Sequence, residues 1–260
     1  MKNAIIHMGG DVVIIYEPAG RAREYAPLAA NLYRGCGHAC IYCYAPDAIR
    51  ERRETFYNKP IPRKNIITEL EKDCARLEGK ETRPILLSFT SDPYQPLDEE
   101  LQITREAIKL LKKHGLKVVI LTKGGKRAER DFDLLDSGDF IGASLTFTNA
   151  DDSGKWEPRA ALPEERIALL RHAKERGLQT WASLEPVIYP DQSLELIRLT
   201  HEFVDLYKVG TLNHHPHAKS IDWKSFAERA IAMLKEYGVK FYIKKDLRKY
   251  LEVKQCLQRR

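Results

Sequence analysis

From residue 84 onward the sequence alternates between two textures, and this limits the fold more than any other feature. Short β-branched or apolar runs are each followed by a longer charged run with apolar residues at helical spacing. Residues 84–90, 117–122, 140–146, 179–184, 204–209 and 239–243 read as strands. Residues 101–114, 127–135, 163–176, 193–202 and 223–237 read as helices. Gly115 and Gly177 stand where helices stop, and Pro163-Glu164-Glu165 is suited to a helix start. Upstream, 29–33 is expected to be the first strand and 62–77 the first helix. Strands alternating with helices of this length imply βαβ units, so the expected fold class is α/β: about six units in one domain, a mostly parallel sheet with helices outside. In such folds, functional residues gather where strands end and loops begin.

Composition sets the broad class. The 260 residues carry 43 Lys+Arg against 37 Asp+Glu, and 43 − 37 gives a formal charge of +6. With 43% apolar and 31% charged residues, wholesale disorder and fibrous architectures are excluded. No apolar run approaches the roughly 18 residues of a membrane span. Asp11 interrupts the best signal-peptide candidate, Ile5 to Tyr16. A cytoplasmic protein without membrane contact is therefore expected. The charge is mild and permits a nucleic-acid or phosphate partner without requiring one.

Five cysteines bear on function: Cys36, Cys40, Cys43, Cys74 and Cys256. In a reducing compartment, clustered cysteines bind metal or do chemistry more often than they form disulfides. Cys36, Cys40 and Cys43 have the spacing C-x3-C-x2-C in a glycine-bounded stretch. A loop of this kind can wrap three thiolates around an iron–sulfur core and leave one iron open. A zinc knob with His38 as fourth ligand is the alternative. Cys74 falls in line with Ile67, Leu70 and Leu77 and reads as a core residue, while Cys256 has no assigned role.

The stretch Asn31-Leu32-Tyr33-Arg34-Gly35-Cys36-Gly37-His38-Ala39-Cys40-Ile41-Tyr42-Cys43-Tyr44-Ala45-Pro46 resembles the radical S-adenosylmethionine (SAM) superfamily, and within it the spore photoproduct lyase-like branch, often labelled DNA repair photolyase-like. Ser91-Asp92-Pro93-Tyr94-Gln95-Pro96, Leu121-Thr122-Lys123-Gly124 and Glu157-Pro158-Arg159 with Arg166 extend the resemblance over roughly residues 15–245. It implies a radical SAM-type partial (β/α)6 barrel, with an N-terminal extension at 1–27, a core at 28–245 and a C-terminal helix or tail at 246–260. It also implies a 4Fe–4S cluster held by Cys36, Cys40 and Cys43, whose open iron chelates SAM. One electron, from a donor such as flavodoxin or ferredoxin, would split SAM to a 5′-deoxyadenosyl radical that abstracts hydrogen from a substrate.

Further roles follow from the same resemblance. Tyr42 would contact adenine or shield the cluster, and Tyr44 could relay a hydrogen atom. Thr90, Ser91 and Asp92 would receive the SAM amino group in place of a glycine-rich motif absent here; an Asx turn before Pro93 accounts for Asp92 equally well. Lys123 would neutralise the SAM carboxylate. Ser144 could bond a ribose, Glu157, Arg159 or Arg166 could hold SAM's charged end, and Glu185 could make a polar cofactor or substrate contact. His214, His215 and His217 could bind metal or phosphate, or form a surface loop. Arg50, Arg52 and Arg53, with Lys244, Lys245, Arg248 and Lys249, could bind phosphates or face solvent.

One departure narrows the function. The lyase of this branch uses an extra cysteine near the second strand as hydrogen donor, and residues 85–94 contain none. The expectation is a radical SAM enzyme acting on an unknown substrate, with nucleic acid or a nucleotide favoured by the branch and the basic charge. The alternatives are radical modification of a protein, peptide or small metabolite, and a non-catalytic iron–sulfur or zinc module that binds nucleic acid.

Overall fold

The computed structural model describes residues 13–252. The strands are β1 (Ile15–Tyr16), β2 (Leu28–Ala30), β3 (Tyr33–Arg34), β4 (Ile61–Pro62), β5 (Ile85–Leu87), β6 (Val118–Thr122), β7 (Phe140–Ser144), β8 (Gln179–Leu184), β9 (Leu206–Val209) and β10 (Lys240–Ile243). The helices are α1 (Ala45–Ala48), α2 (Arg53–Asn58), α3 (Ile66–Leu77), α4 (Pro96–Leu101), α5 (Ile103–Lys113), α6 (Ala150–Trp156), α7 (Pro163–Glu175), α8 (Pro190–Thr200), α9 (Trp223–Glu236) and α10 (Lys245–Glu252). Eight strands form one sheet in the order β1-β2-β5-β6-β7-β8-β9-β10. Every neighbouring pair in it is parallel except β1 and β2. β3 and β4 make a separate antiparallel ribbon.

Alternation along the strands sorts the core into two faces. Ala29, Leu86, Val119 and Trp181 pack together inside the curl of the sheet, with Leu121, Phe140 and Leu206 against them. Their neighbours Ala30, Leu87, Ile120 and Ile141 face α3, α5 and α7, and Ala182, Leu184, Tyr207 and Val209 face α8 and α9. Both faces are covered, which is why these strands read as nearly continuous apolar runs. Cys74 is buried among Ile66 and Leu70, whereas Cys256 lies outside the described residues.

Several boundaries move for local reasons. The expected helix over 101–114 is α5, which starts at Ile103; Leu101 ends the preceding α4, and Gln102 at φ +49 separates the two. The Asp98 carboxylate accepts the Thr104 N–H at 2.8 Å, so it caps the second helix from the first. The helix expected first, at 62–77, is α3; it follows α1 and α2 and starts at Ile66 rather than residue 62, because Pro62 is in the ribbon and Asn65 is left-handed. Residues 125–134 wind as a 3-10 helix. Between β7 and α7, where the sequence gives no helix, lies α6, whose first turn is capped by Asn149 accepting the Asp152 N–H at 2.8 Å.

The first and last parallel strands, β2 and β10, do not pair, so the barrel has a seam. Residues 17–27 cross it. Glu24 Oε1 accepts from the Tyr242 hydroxyl and the Lys245 N–H, each at 2.9 Å, and Arg21 pairs with Asp246 at 2.7 Å. Lys208 Nζ donates to the carbonyls of Glu24 and Tyr25 at 3.0 and 2.5 Å. Among the described residues no helix is long and apolar enough to cross a membrane.

Gly142 gives a test of the inner core. A Cβ there would lie 2.2 Å from Trp181 Nε1, and that indole already donates to the Ile120 carbonyl at 2.9 Å. Gly142→Ala is expected to cost at least about 1–3 kcal/mol, as overpacking does, read from urea unfolding midpoints at constant slope.

Candidate active site

The cysteine loop is held at both ends by backbone contacts. Cys36 N–H donates to the Phe56 carbonyl at 3.0 Å. Gly35 takes φ +86, and a Cβ there would sit 2.6 Å from the Phe56 carbonyl oxygen, which restricts the position to glycine. Gly37 N–H donates to Gln95 Oε1 at 2.8 Å, and Gln95 Nε2 donates back to the Gly35 carbonyl at 3.3 Å. On the other side, Ile41 N–H donates to the Trp156 carbonyl at 2.9 Å and Arg159 N–H to the His38 carbonyl at 3.2 Å. Cys40 is buried; Cys36 and Cys43 are half-buried.

Asp92 stands behind Cys36. Its Oδ1 accepts the Tyr94 N–H at 2.9 Å and the Thr122 hydroxyl at 2.6 Å; its Oδ2 accepts the Lys123 N–H at 2.7 Å and lies 3.4 Å from His38 Nδ1. Burial opposes ionisation, yet His38 and these hydrogen bonds hold the carboxyl well below the usual carboxylate range. Both oxygens are fully used, so Asp92 fixes the loop after β5 rather than offering a free acceptor. The Thr90 N–H is likewise taken, by Asn31 Oδ1 at 3.0 Å. The Ser91 hydroxyl is buried and has no hydrogen-bond partner.

Glu157 is the centre of a second network. The Tyr42 hydroxyl donates to its Oε1, as does the Thr146 hydroxyl at 2.9 Å. Arg166 Nη2 lies 2.5 Å from its Oε2 and Lys123 Nζ 3.7 Å from its Oε1. Arg166 also donates to the carbonyls of Ala161 and Ser144, and Lys123 Nζ donates to the Ser144 hydroxyl at 2.5 Å. Glu157 and Arg166 are each 1% exposed. Burial would raise the Glu157 carboxyl, but Arg166, Lys123 and Tyr42 bring it down to about 2.

Ser144 links this network to a third, through a hydrogen bond to the Glu185 carbonyl at 3.2 Å. The Glu185 carboxylate accepts from the Tyr25 hydroxyl at 2.5 Å and from Asn213 Nδ2 at 3.1 Å, and is paired with Lys244. Burial lowers the Lys244 ammonium, and Glu185 works against that shift. Lys208, on the neighbouring strand, is lowered to about 8 by burial and then by the charge of Lys244. Tyr44 is 47% exposed at the rim, with Cys43, Glu185 and Tyr16 within electrostatic reach.

The structure therefore brings Cys36, Cys40, Cys43, Tyr42, Asp92, Lys123, Ser144, Glu157, Arg166 and Glu185 together at one end of the parallel strands. The histidine loop divides. His214 is exposed, whereas His215 and His217 pack their rings on Trp156 at centroid distances of 5.1 and 6.0 Å, and His217 Nε2 meets the Ile188 carbonyl at 3.0 Å. The sequence reading missed Tyr25, Gln95, Trp156 and a site position for Lys244. Lys244 directly follows β10, and the strand-end rule applied to β10 finds it. Tyr25 and Trp156 lie in segments that carry no periodic signal.

The loop suits an iron–sulfur cluster. Backbone N–H groups of His38 and Asp92 approach the Cys36 sulfur, and that of Ala45 approaches Cys43. Such hydrogen bonds favour thiolate ligands. Burial, then the Asp92 charge, pushes the Cys36 thiol up to about 12, and Cys40 and Cys43 are raised too, chiefly by burial. A positive inorganic core would relieve that penalty. His38 is poorly suited to zinc: Arg127 Nη2 lies 2.8 Å from its Nε2, and Asp92 stands at its Nδ1.

The family model described as the Radical SAM superfamily matches residues 30–204. The chain belongs to the radical SAM superfamily. An uncharacterized protein of Methanocaldococcus jannaschii is 30% identical over 191 residues, 72% of this chain and 71% of its own length. Another, from Acidianus two-tailed virus, is 28% identical over 195 residues, 68% of this chain and 61% of its own length. The fold is similar to spore photoproduct lyase solved with dinucleoside spore photoproduct: TM-score 0.64, 16% identity, 87% of this chain and 78% of that one. It is also similar to SuiB of Streptococcus suis bound to S-adenosylmethionine: TM-score 0.61, 13% identity, 83% of this chain and 50% of that one. In this radical SAM enzyme the matched segment contains all three clustered cysteines and the Asp92 and Glu157 networks.

The buried Glu157–Arg166 pair yields a pH prediction. The folded carboxyl is depressed to about 2, against about 4.3 in an unfolded chain. Its contribution is complete above the unfolded value and is lost as pH falls towards 2. Arg166→Met should cost about 3–5 kcal/mol at pH 7 by leaving a buried charge unpaired. That deficit should shrink at pH 3, measured by urea unfolding at both pH values.

Proposed function

We propose that Cys36, Cys40 and Cys43 hold a 4Fe–4S cluster and that SAM binds beside it across the C-terminal ends of β5 to β8. The observation that carries this reading is the placement of the three thiols on one loop at the strand ends, within electrostatic reach of one another, with backbone N–H groups directed at two of the sulfurs. When bound, the reduced cluster and SAM supply a 5′-deoxyadenosyl radical for hydrogen abstraction.

The protein's own part is to bind, orient and exclude water. Lys123 supplies the cation for SAM's carboxylate. The unpartnered Ser91 hydroxyl receives the amino group, with the Thr90 backbone beside it, and Asp92 acts by fixing that loop. Ser144 faces the ribose, and Tyr42, 6.5 Å from Trp156 between ring centroids, shields the cluster. Glu157 and Arg166 hold Tyr42 and Lys123 in place rather than touching SAM, because each is buried against the other. Glu185, Tyr25 and Lys244 line the substrate side, and Tyr44 at the rim relays a hydrogen atom.

The substrate is nucleic acid or a nucleotide. This rests on the fold shared with a lyase solved with a dinucleoside and on Arg50, Arg52 and Arg53 following the cysteine loop. The electron comes from a donor such as flavodoxin or ferredoxin, and a cytoplasmic setting keeps the thiols reduced.

Anaerobic reconstitution tests the reading. The protein should gain 4Fe–4S absorption, and after reduction with SAM should release 5′-deoxyadenosine. Cys40→Ala should lose the cluster and Cys74→Ala should keep it. Stoichiometric tetrahedral zinc, with neither signal, would instead identify a binding module.

A further inference from the structure

The turn at 156–161 is fastened to the cysteine loop by two backbone hydrogen bonds, Ile41 N–H to the Trp156 carbonyl and Arg159 N–H to the His38 carbonyl. Between them the Tyr42 hydroxyl, one residue before Cys43 and two after Cys40, ends on the Glu157 carboxylate. A full negative charge thus lies immediately behind the loop, in a place water does not reach: Glu157 is 1% exposed and Cys40 8%. Arg166 and Lys123 offset that charge, with Arg166 the closer, at 2.5 Å against 3.7 Å. Charges in such surroundings act with little screening.

From this arrangement we propose that Glu157 holds the reduction potential of the cluster low, acting through its charge and not through the tie to Tyr42. This rests on the cluster assignment above. Reduction adds an electron to the cluster, and a nearby carboxylate opposes it. A low potential is what a strongly reducing one-electron step on a sulfonium requires. The cations set the opposite bias, so the network has two opposed controls. Glu157 is therefore a positioning and potential-setting residue, distinct from one that touches SAM.

The test is a redox titration of the reconstituted protein without SAM, followed by electron paramagnetic resonance. Glu157→Gln keeps the shape and an acceptor for Tyr42 but removes the charge. It should raise the midpoint, changing the reduced-to-oxidised ratio at fixed potential by about tenfold, which is about 59 mV for one electron. Tyr42→Phe keeps the charge and cuts the tie, and should leave the midpoint near that of the parent. If Glu157→Gln fails to retain a cluster, Lys123→Met decides: loss of a cation from the same network should lower the midpoint. An unmoved midpoint in Glu157→Gln, an equal shift in Tyr42→Phe, or an unmoved or raised midpoint in a deciding Lys123→Met would overturn the inference while the parent's cluster stands. A parent without 4Fe–4S signals would overturn both this inference and the cluster assignment.

Discussion

Carboxylates set at the ends of parallel strands are the constraint on which the rest of this structure depends. Asp92, Glu157 and Glu185 are carboxylates that follow β5, β7 and β8, and each must be compensated where it stands. The three solutions differ. Asp92 is satisfied mainly by backbone N–H groups and a hydroxyl, Glu157 by an arginine, a lysine and two hydroxyls, and Glu185 by a lysine, an amide and a phenol. Each set draws on separate segments of chain. The loops after the strands are therefore fixed relative to one another by electrostatics as well as by packing. The cysteine loop joins this frame through His38 on Asp92 and Tyr42 on Glu157.

The same frame changes what several residues do. In isolation, Asp92, Glu157 and Arg166 are charged side chains near a cofactor site and look like ligands. In place, their charges are directed at the protein, Asp92 at backbone N–H groups and Glu157 and Arg166 at each other. Lys123 and Ser91 are different: one is a cation shared between a carboxylate and a hydroxyl, the other a hydroxyl with no partner. The loop's thiols are destabilised as thiolates by burial yet provided with N–H groups directed at sulfur, a combination suited to a ligand that brings its own positive charge.

Much of this was legible in the sequence. The order of strands and helices follows from periodicity, because strands buried on both faces need unbroken apolar runs and the helices need only one apolar stripe. Cys36, Cys40 and Cys43 were visible from spacing, and Lys123, Ser144, Glu157 and Glu185 from their places at or after strands. The short helices were not. α6 has seven residues, too few to display a period, and the break at Gln102 depends on Asp98 capping the next helix. Partnerships were hidden as well. Tyr25 and Glu185 are 160 residues apart, and no local pattern announces that they share a proton donor and acceptor.

The seam between β2 and β10 has a consequence for how the molecule comes into being. Glu24 reaches Tyr242 across 218 positions and Lys245 across 221. Contacts of such separation carry the largest loop-closure cost and cannot form until both partners exist. Closure of the sheet across the seam is therefore a late step of folding, reached after the local β/α units have formed. The network at Glu185 is completed only then, because it needs Tyr25 from the strap and Lys244 from the end of β10.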